Sequence, residues 1–152
     1  MEQPHDEAEA LFHWLADTYH MGGLLPHDAL RAIASALSTP PRRLTLVGQG
    51  GKDKSLLCQY VRSFYQERDN PCAVQTAVVN EWVETGDAIV AGLLETQRAL
   101  LCVANVDRAA EPWEKASALV GAIGEREIIC IFTCKTLPLP ASPVWGRVVH
   151  LK

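Results

Sequence analysis

The sequence predicts an α/β domain of three layers: a mainly parallel sheet with helices on both faces, preceded by a short helical segment. Three observations carry this. Strand-like apolar runs alternate with segments of helical period along most of the chain. Two of those runs, ALLCVANVD and EIICIFTCK, are almost continuously apolar, as strands covered on both faces are. A glycine-rich turn, GQGGKDKS at 48–55, stands between a strand and a helix.

The elements follow in order. Residues 7–20 place Leu11, Trp14, Leu15 and Tyr19 at helical spacing. After the break MGGLLP, a second helix runs from about Asp28 with Leu30, Ile33, Ala34 and Leu37 on one face, and STPP ends it. RRLTLVG is a strand entering the glycine-rich loop. KSLLCQYVRSFYQER is a helix with Leu56, Leu57, Tyr60, Val61 and Phe64 as its buried stripe. CAVQTAVV is a second strand, and NEWVETGDAIVAGLLE a turn and a mostly helical stretch. ALLCVANVD is a strand running to Asp107. EPWEKASALVGAIGE is a helix with Pro112 early and Gly124 near its end. EIICIFTCK is a further strand, TLPLPASP a loop, and RVVHLK the last strand. This divides the chain into an N-terminal helical segment, 1–40, and a core, 41–152.

A chain of 152 residues, 48% of them hydrophobic, suffices for one such core. The net charge of −4 implies no strong overall attraction to nucleic acid, and direct DNA binding is not expected. Arg42 and Arg43 read as ordinary solvated charges flanking a strand. Of the five cysteines, Cys58, Cys72, Cys102, Cys130 and Cys134, no two form a C-x-x-C pair, so a metal site is not indicated. Cys102 and Cys130, in apolar runs, read as small buried hydrophobes. Reduced thiols suit an intracellular protein. The acidic start resembles neither a signal nor a transit peptide, and no apolar run is long enough to span a membrane.

The turn at 48–55 nearly matches G-x-x-x-x-G-K-[ST], the phosphate-binding loop. The fold expected is therefore a P-loop NTPase-like one. Gly48, Lys54 and Ser55 are in register, and Gly50 and Gly51 supply backbone freedom around anionic oxygens. Lys54 would reach the β/γ-phosphates and Ser55 would ligate magnesium, at a helix beginning near Lys54. Asp53 stands where the second glycine belongs, and its carboxylate would repel phosphate. Two readings stay open: a turn that no longer binds nucleotide, and weak binding. Asp107 would hold magnesium or merely cap the helix that follows. Arg108 occupies the place of the acid that polarises the attacking water, so for hydrolysis the capping reading is preferred. Gly48–Ser55, Asp107 and Thr133–Lys135 all follow carboxyl ends of predicted strands, where ligands bind in such sheets.

The order of these motifs resembles a superfamily-3 helicase, a class of viral replicative ATPases related to AAA+ proteins, with the papillomavirus type nearest. ALSTPPRRLTLVGQGGKDKS is similar to the segment of small residues, proline and paired basics before strand and loop. AVVNEWVE resembles a strand ending in asparagine, an aromatic and an acid. VANVDRAA resembles the magnesium segment, IICIFTCK the sensor strand, and GRVVHL an arginine followed by a final strand. The resemblance covers roughly Asp28 to the end. It implies ATP and Mg2+ as cofactors, with Gly48, Lys54 and Ser55 on phosphate and magnesium and Asp107 on magnesium. It implies Arg147 as the arginine that reaches a neighbouring subunit's nucleotide in a homo-oligomer, the plainer reading being a surface charge at a strand edge. The setting implied is DNA replication or remodelling, in the nucleus for a virus of a eukaryotic host and otherwise in the cytoplasm.

The departures are specific. Asp53 replaces the loop glycine and Arg108 the second acid. Cys134, or Thr133 if the register slips, replaces the sensor asparagine. Only VGAIGERE spans the place of the DNA-gripping hairpin, and 27 residues are too few for the family's origin-binding domain. The expectation is a degenerate domain that binds ATP–magnesium weakly, hydrolyses little and unwinds nothing. Its alternative is a non-enzymatic pseudo-ATPase that binds a partner protein. A small GTPase, suggested by VANVDRA and FTCK, lacks the lysine such a site needs. Trp14, Trp82 and Trp113 read as packing residues and Trp145 as packed beside the final strand. His13, His20 and His27 are scattered and support no catalytic triad.

Overall fold

Strand alternation along β1 (Arg43–Val47) decides the layers. Leu44 and Leu46 point to one face of the sheet and Val47 to the other, each into its own apolar core. A computed structural model of the chain describes residues 4–18, 25–49, 51–68, 74–79, 98–124, 128–138 and 143–151. The stretch 80–97, which contains Trp82, lies outside them, as do Tyr19, His20 and the MGGL segment.

The other strands are β2 (Val74–Val79), β3 (Arg98–Val103), β4 (Ile128–Cys134) and β5 (Arg147–His150). They form one five-stranded sheet in the order β2-β3-β4-β1-β5, and every described pairing is parallel. β4 is buried along its whole length, which explains its unbroken apolar sequence. Ile129 and Ile131 face one core; Ile128, Cys130, Phe132 and Cys134 face the other. Cys102 and Cys130 are buried small residues, as the sequence predicts.

The first core is closed by α1 (Pro4–His13), the π-helical turn Trp14–Thr18, α2 (His27–Ser38) and α3 (Gly51–Arg68). The periodicity at Leu11, Leu15, Leu30, Ile33 and Leu37 is fully used, since each is buried. On α3 the buried stripe is Leu57, Val61, Phe64 and Tyr65, with Leu56 and Tyr60 half-buried at its margin. The second core is closed by α4 (Pro112–Ile123) and the 3-10 turn Pro143–Trp145. Gly124 ends α4 at φ +57° and returns its N–H to Val120, a left-handed stop that suits glycine. Trp145 is fully buried edge-on to Phe132, at 5.3 Å between ring centroids, and its carbonyl accepts the Thr45 hydroxyl at 2.6 Å. Among the described residues no helix is long and apolar enough to cross a membrane.

Two sequence expectations are corrected here. Arg42 is not a solvated flanking charge. Its guanidinium meets the Glu7 carboxylate at 3.0 Å, with the two side chains only 13% and 8% exposed, and it also donates to the Leu37 carbonyl. The Tyr65 hydroxyl donates to the same Glu7 oxygen at 3.2 Å, so one carboxylate ties α1, the approach to β1 and α3 together. Charge composition could not foresee this, because the partners lie 35 residues apart. Secondly, β3 stops at Val103 and does not run to Asp107. Asn105 turns left-handed at φ 56° and Val106–Arg108 forms a 3-10 turn.

Glu7→Gln leaves Arg42 buried without its counter-charge. The unfolding free energy should fall by about 3 kcal/mol, measured by urea denaturation. A fall below roughly 1 kcal/mol would match a solvent-screened pair instead.

Candidate functional site

The carboxyl edge of the sheet collects most of the residues that the sequence singles out. Gly48 follows β1, Asp107 follows β3, and Thr133 to Thr136 finish and follow β4. Lys54 reaches the same edge from the first turns of α3.

Lys54 is only 3% exposed. Its ammonium donates to the carbonyl of Gly48 and, at 2.9 Å, to the carbonyl of Cys134. The Cys134 carbonyl also accepts the Gly48 N–H at 3.1 Å. On the far side, Asp107 Oδ2 accepts the N–H groups of Lys135 and Thr136 at 3.1 and 3.2 Å. The Cys134 carbonyl and the Lys135 N–H belong to one peptide group. That single peptide, at the tip of β4, therefore holds the lysine at one end and the aspartate at the other.

Asp107 does not cap the following helix. The N-cap of α4 is Glu111, without a side-chain cap bond, while Asp107 caps the turn after β4. The Asn105 N–H donates to the buried Thr133 hydroxyl at 3.3 Å, a second link between the ends of β3 and β4. Cys134 is buried. Burial first, and the Asp107 charge second, push its thiol up from 9.0 to about 11, against the pull of Lys54.

A side chain at Gly48 would be crowded for a reason the motif does not state. A Cβ there would lie 3.0 Å from the Leu151 carbonyl oxygen and 3.2 Å from its Cβ. The Leu151 N–H in turn donates to the Val47 carbonyl at 2.7 Å, which holds the segment after β5 beside Gly48. Helix α3 begins at Gly51, three residues before Lys54, and not near Lys54 itself. Asp53 thus has helical backbone and needs no left-handed geometry. An acidic residue in the first turn also suits the helix dipole. Gly50 lies outside the described residues. Ser55 and Arg108 are exposed.

Arg147 does not join this edge within its own chain. It pairs with Leu44 at the start of β1, whereas His150 pairs with Val47 at the end, so Arg147 lies roughly 10 Å back along the strand. Its side chain is exposed. Thr133–Lys135 are at this edge as the sequence predicts, whereas Leu151 and Thr136 are not legible in it. They act mainly through backbone groups, which leave no mark in residue type.

Cys58, Cys102, Cys130 and Cys134 carry free thiols. The Cys102 thiol on β3, ahead of burial, pushes the Cys58 thiol on α3 well above 9.0, and Cys58 in turn lowers Cys102. Among the described residues no cluster of three histidine, cysteine, aspartate or glutamate side chains could hold a metal ion. A nucleotide with magnesium needs a lysine directed to phosphate and a carboxylate directed to the metal. As arranged, Lys54 donates to two carbonyls and Asp107 accepts two amides at Oδ2, so phosphate and metal would have to share or displace these bonds.

The parallel sheet, the strand order and the strand–loop–helix at 43–68 define a P-loop-like α/β fold. The chain is similar in structure to a point mutant of RuvB from Thermotoga maritima, an AAA+ P-loop ATPase, with a TM-score of 0.54 at 16% sequence identity. The match covers 100% of this chain and 47% of that one, so this chain spans about half the length of its structural neighbour. The likeness is one of fold. No protein-family model matches the chain, and no curated protein matches it in sequence.

Two outcomes test the edge. Lys54→Met keeps the length of the side chain and removes its donor, leaving two carbonyls short of a partner. Stability without any ligand should fall by about 2 kcal/mol, read from chemical denaturation; an unchanged midpoint would mean that the lysine does not hold the edge. Because the folded Cys134 thiol titrates near 11 against 9.0, its neutral form favours the folded state. Its contribution is complete below pH 9 and is lost as pH rises through 11. Unfolding free energy measured across that window should fall less steeply in Cys134→Ala than in the natural chain.

Proposed function

We propose that this chain is a non-hydrolysing, P-loop-like domain that acts as a protein-interaction or regulatory module. One observation carries the reading: Lys54 and Asp107 are both bound to the Cys134–Lys135 peptide instead of being left available to phosphate and metal. In a low-dielectric edge such contacts are not given up cheaply: a phosphate that took the ammonium would leave the Gly48 carbonyl without that donor, at a cost of about 1–3 kcal/mol, while the Cys134 carbonyl would keep the Gly48 N–H. Arg108 in the place of the second acid, and Cys134 in the place of the sensor asparagine, support the same conclusion from the sequence. The ordered motif series supports descent from a superfamily-3 helicase-like ATPase linked to DNA replication or remodelling.

A second reading is favoured by the retained constellation itself. Gly48, Lys54 and Asp107 still converge at one edge with Ser55 exposed beside them. Residual weak binding of ATP with magnesium is compatible with that convergence, provided Lys54 exchanges its carbonyl partners for phosphate. Arg147 would then act on nucleotide only across an interface between copies, as the resemblance implies.

Calorimetric titration with ATP and magnesium separates the two. The non-hydrolysing module should give no saturable heat at millimolar ATP, a limit of about −4 kcal/mol of binding free energy, and no phosphate release. Saturable heat that disappears in Lys54→Ala and strengthens in Asp53→Gly would establish the second reading. Steady turnover in the natural chain would overturn the first reading outright.

A further inference from the structure

Two thiols that take no part in the loop edge, Cys58 and Cys102, meet in the first apolar core. Strand alternation turns Leu100 and Cys102 of β3 toward that core, while Ala99, Leu101 and Val103 face the other. Cys58 is half-buried on α3 and packs against the same core, between Leu57 and Val61, which are fully buried in it. Each thiol is the leading influence on the other: Cys102 pushes Cys58 up, and Cys58 lowers Cys102. Influence of that kind between side chains acts only at short range, so helix and strand hold the two sulfurs side by side.

The surroundings distinguish this pair from the other buried thiols. Arg62 stands one turn beyond Cys58 on α3, and its charge adds to the lowering of Cys102 against the effect of burial. Cys130 faces the second core, where burial holds its thiol far above 9.0, and burial likewise raises Cys134. Those two stay neutral and are poor nucleophiles. Cys102 is 7% exposed and Cys58 half-buried, so a small solute reaches the pair and a bulky one does not.

We propose that Cys58 and Cys102 form a redox-responsive pair that hydrogen peroxide oxidises to a disulfide, fastening α3 to β3. The Cys102 thiolate attacks one peroxide oxygen, the O–O bond breaks, and the sulfur becomes a sulfenic acid while the other oxygen leaves and is protonated to water. The Cys58 sulfur then attacks the sulfenic sulfur, gives up its proton, and displaces the second oxygen as water. Two thiols thus lose two electrons and two protons, and the peroxide takes them up as two waters. Cys58 follows Lys54 by one helical turn, and Cys102 lies just before the turn that carries Asp107. The new bond would therefore join the two elements that supply both charges of the loop edge. The inference rests on neither reading of that edge, since the pair sits in the core beneath α3.

The test treats the full folded chain with hydrogen peroxide, alkylates the remaining thiols after unfolding, and maps peptides without reduction. One link is expected, Cys58 to Cys102, reversed by dithiothreitol, with Cys130 and Cys134 alkylated. The urea midpoint should rise on oxidation, because the link restricts the unfolded chain. In Cys58→Ser the reaction should stop at a Cys102 sulfenic acid, which dimedone captures, and Cys72→Ser should leave the Cys58–Cys102 link unchanged. Absence of any link, a link made through Cys72, or formation of the same link at the same rate in the urea-unfolded chain would each overturn the inference.

Discussion

A single peptide group organises the functional edge of this molecule. The Cys134–Lys135 unit ends the most deeply buried strand of the sheet and is bound on both sides by charge: Lys54 at its carbonyl, Asp107 at its N–H. The two charges never touch, but the peptide dipole lies between them with each end facing the charge it favours. Hydrogen bonds to charged groups are the stronger kind, and a largely buried setting strengthens them further. The end of β1, the start of α3, the turn after β3 and the turn after β4 are all held through this relay. The groups that would mark a catalytic centre therefore act here as the structure's clasp.

The same logic of remote charges joined across the fold recurs at the other face. Glu7, Arg42 and Tyr65 come from three separate elements and meet at one carboxylate oxygen. Trp14 adds a parallel link, its indole N–H donating to the Tyr60 carbonyl at 3.1 Å. Through these contacts the N-terminal helices share a core with α3 and the sheet instead of standing apart. The N-terminal segment is thus a wall of the domain, and α2 within it offers a surface on which the starts of β1 and β5 converge. The loop edge and a groove beside α2 lie at opposite ends of the same strands.

Sequence alone determined the fold class and most of the elements, because periodicity is a direct imprint of burial. Continuous apolar runs mark strands covered twice, and the stripes at Leu30, Ile33 and Leu37 or Leu57, Val61 and Phe64 mark helices covered once. It also determined which types of residue occupy the loop, the strand ends and the final strand. What it could not determine is what those residues touch. Lys54 looks the same in sequence whether its ammonium faces a phosphate or two carbonyls of its own chain. Gly48 looks like a phosphate-cradling glycine until the Leu151 carbonyl, from the far end of the sequence, is found 3.0 Å from where its Cβ would be. Asp107 reads as a metal ligand or a helix cap, and only the fold brings the Lys135 and Thr136 amides to it. Backbone donors and acceptors are identical at every residue, so tertiary structure alone decides which side chains they claim. Here they are claimed by the Lys54 ammonium and the Asp107 carboxylate.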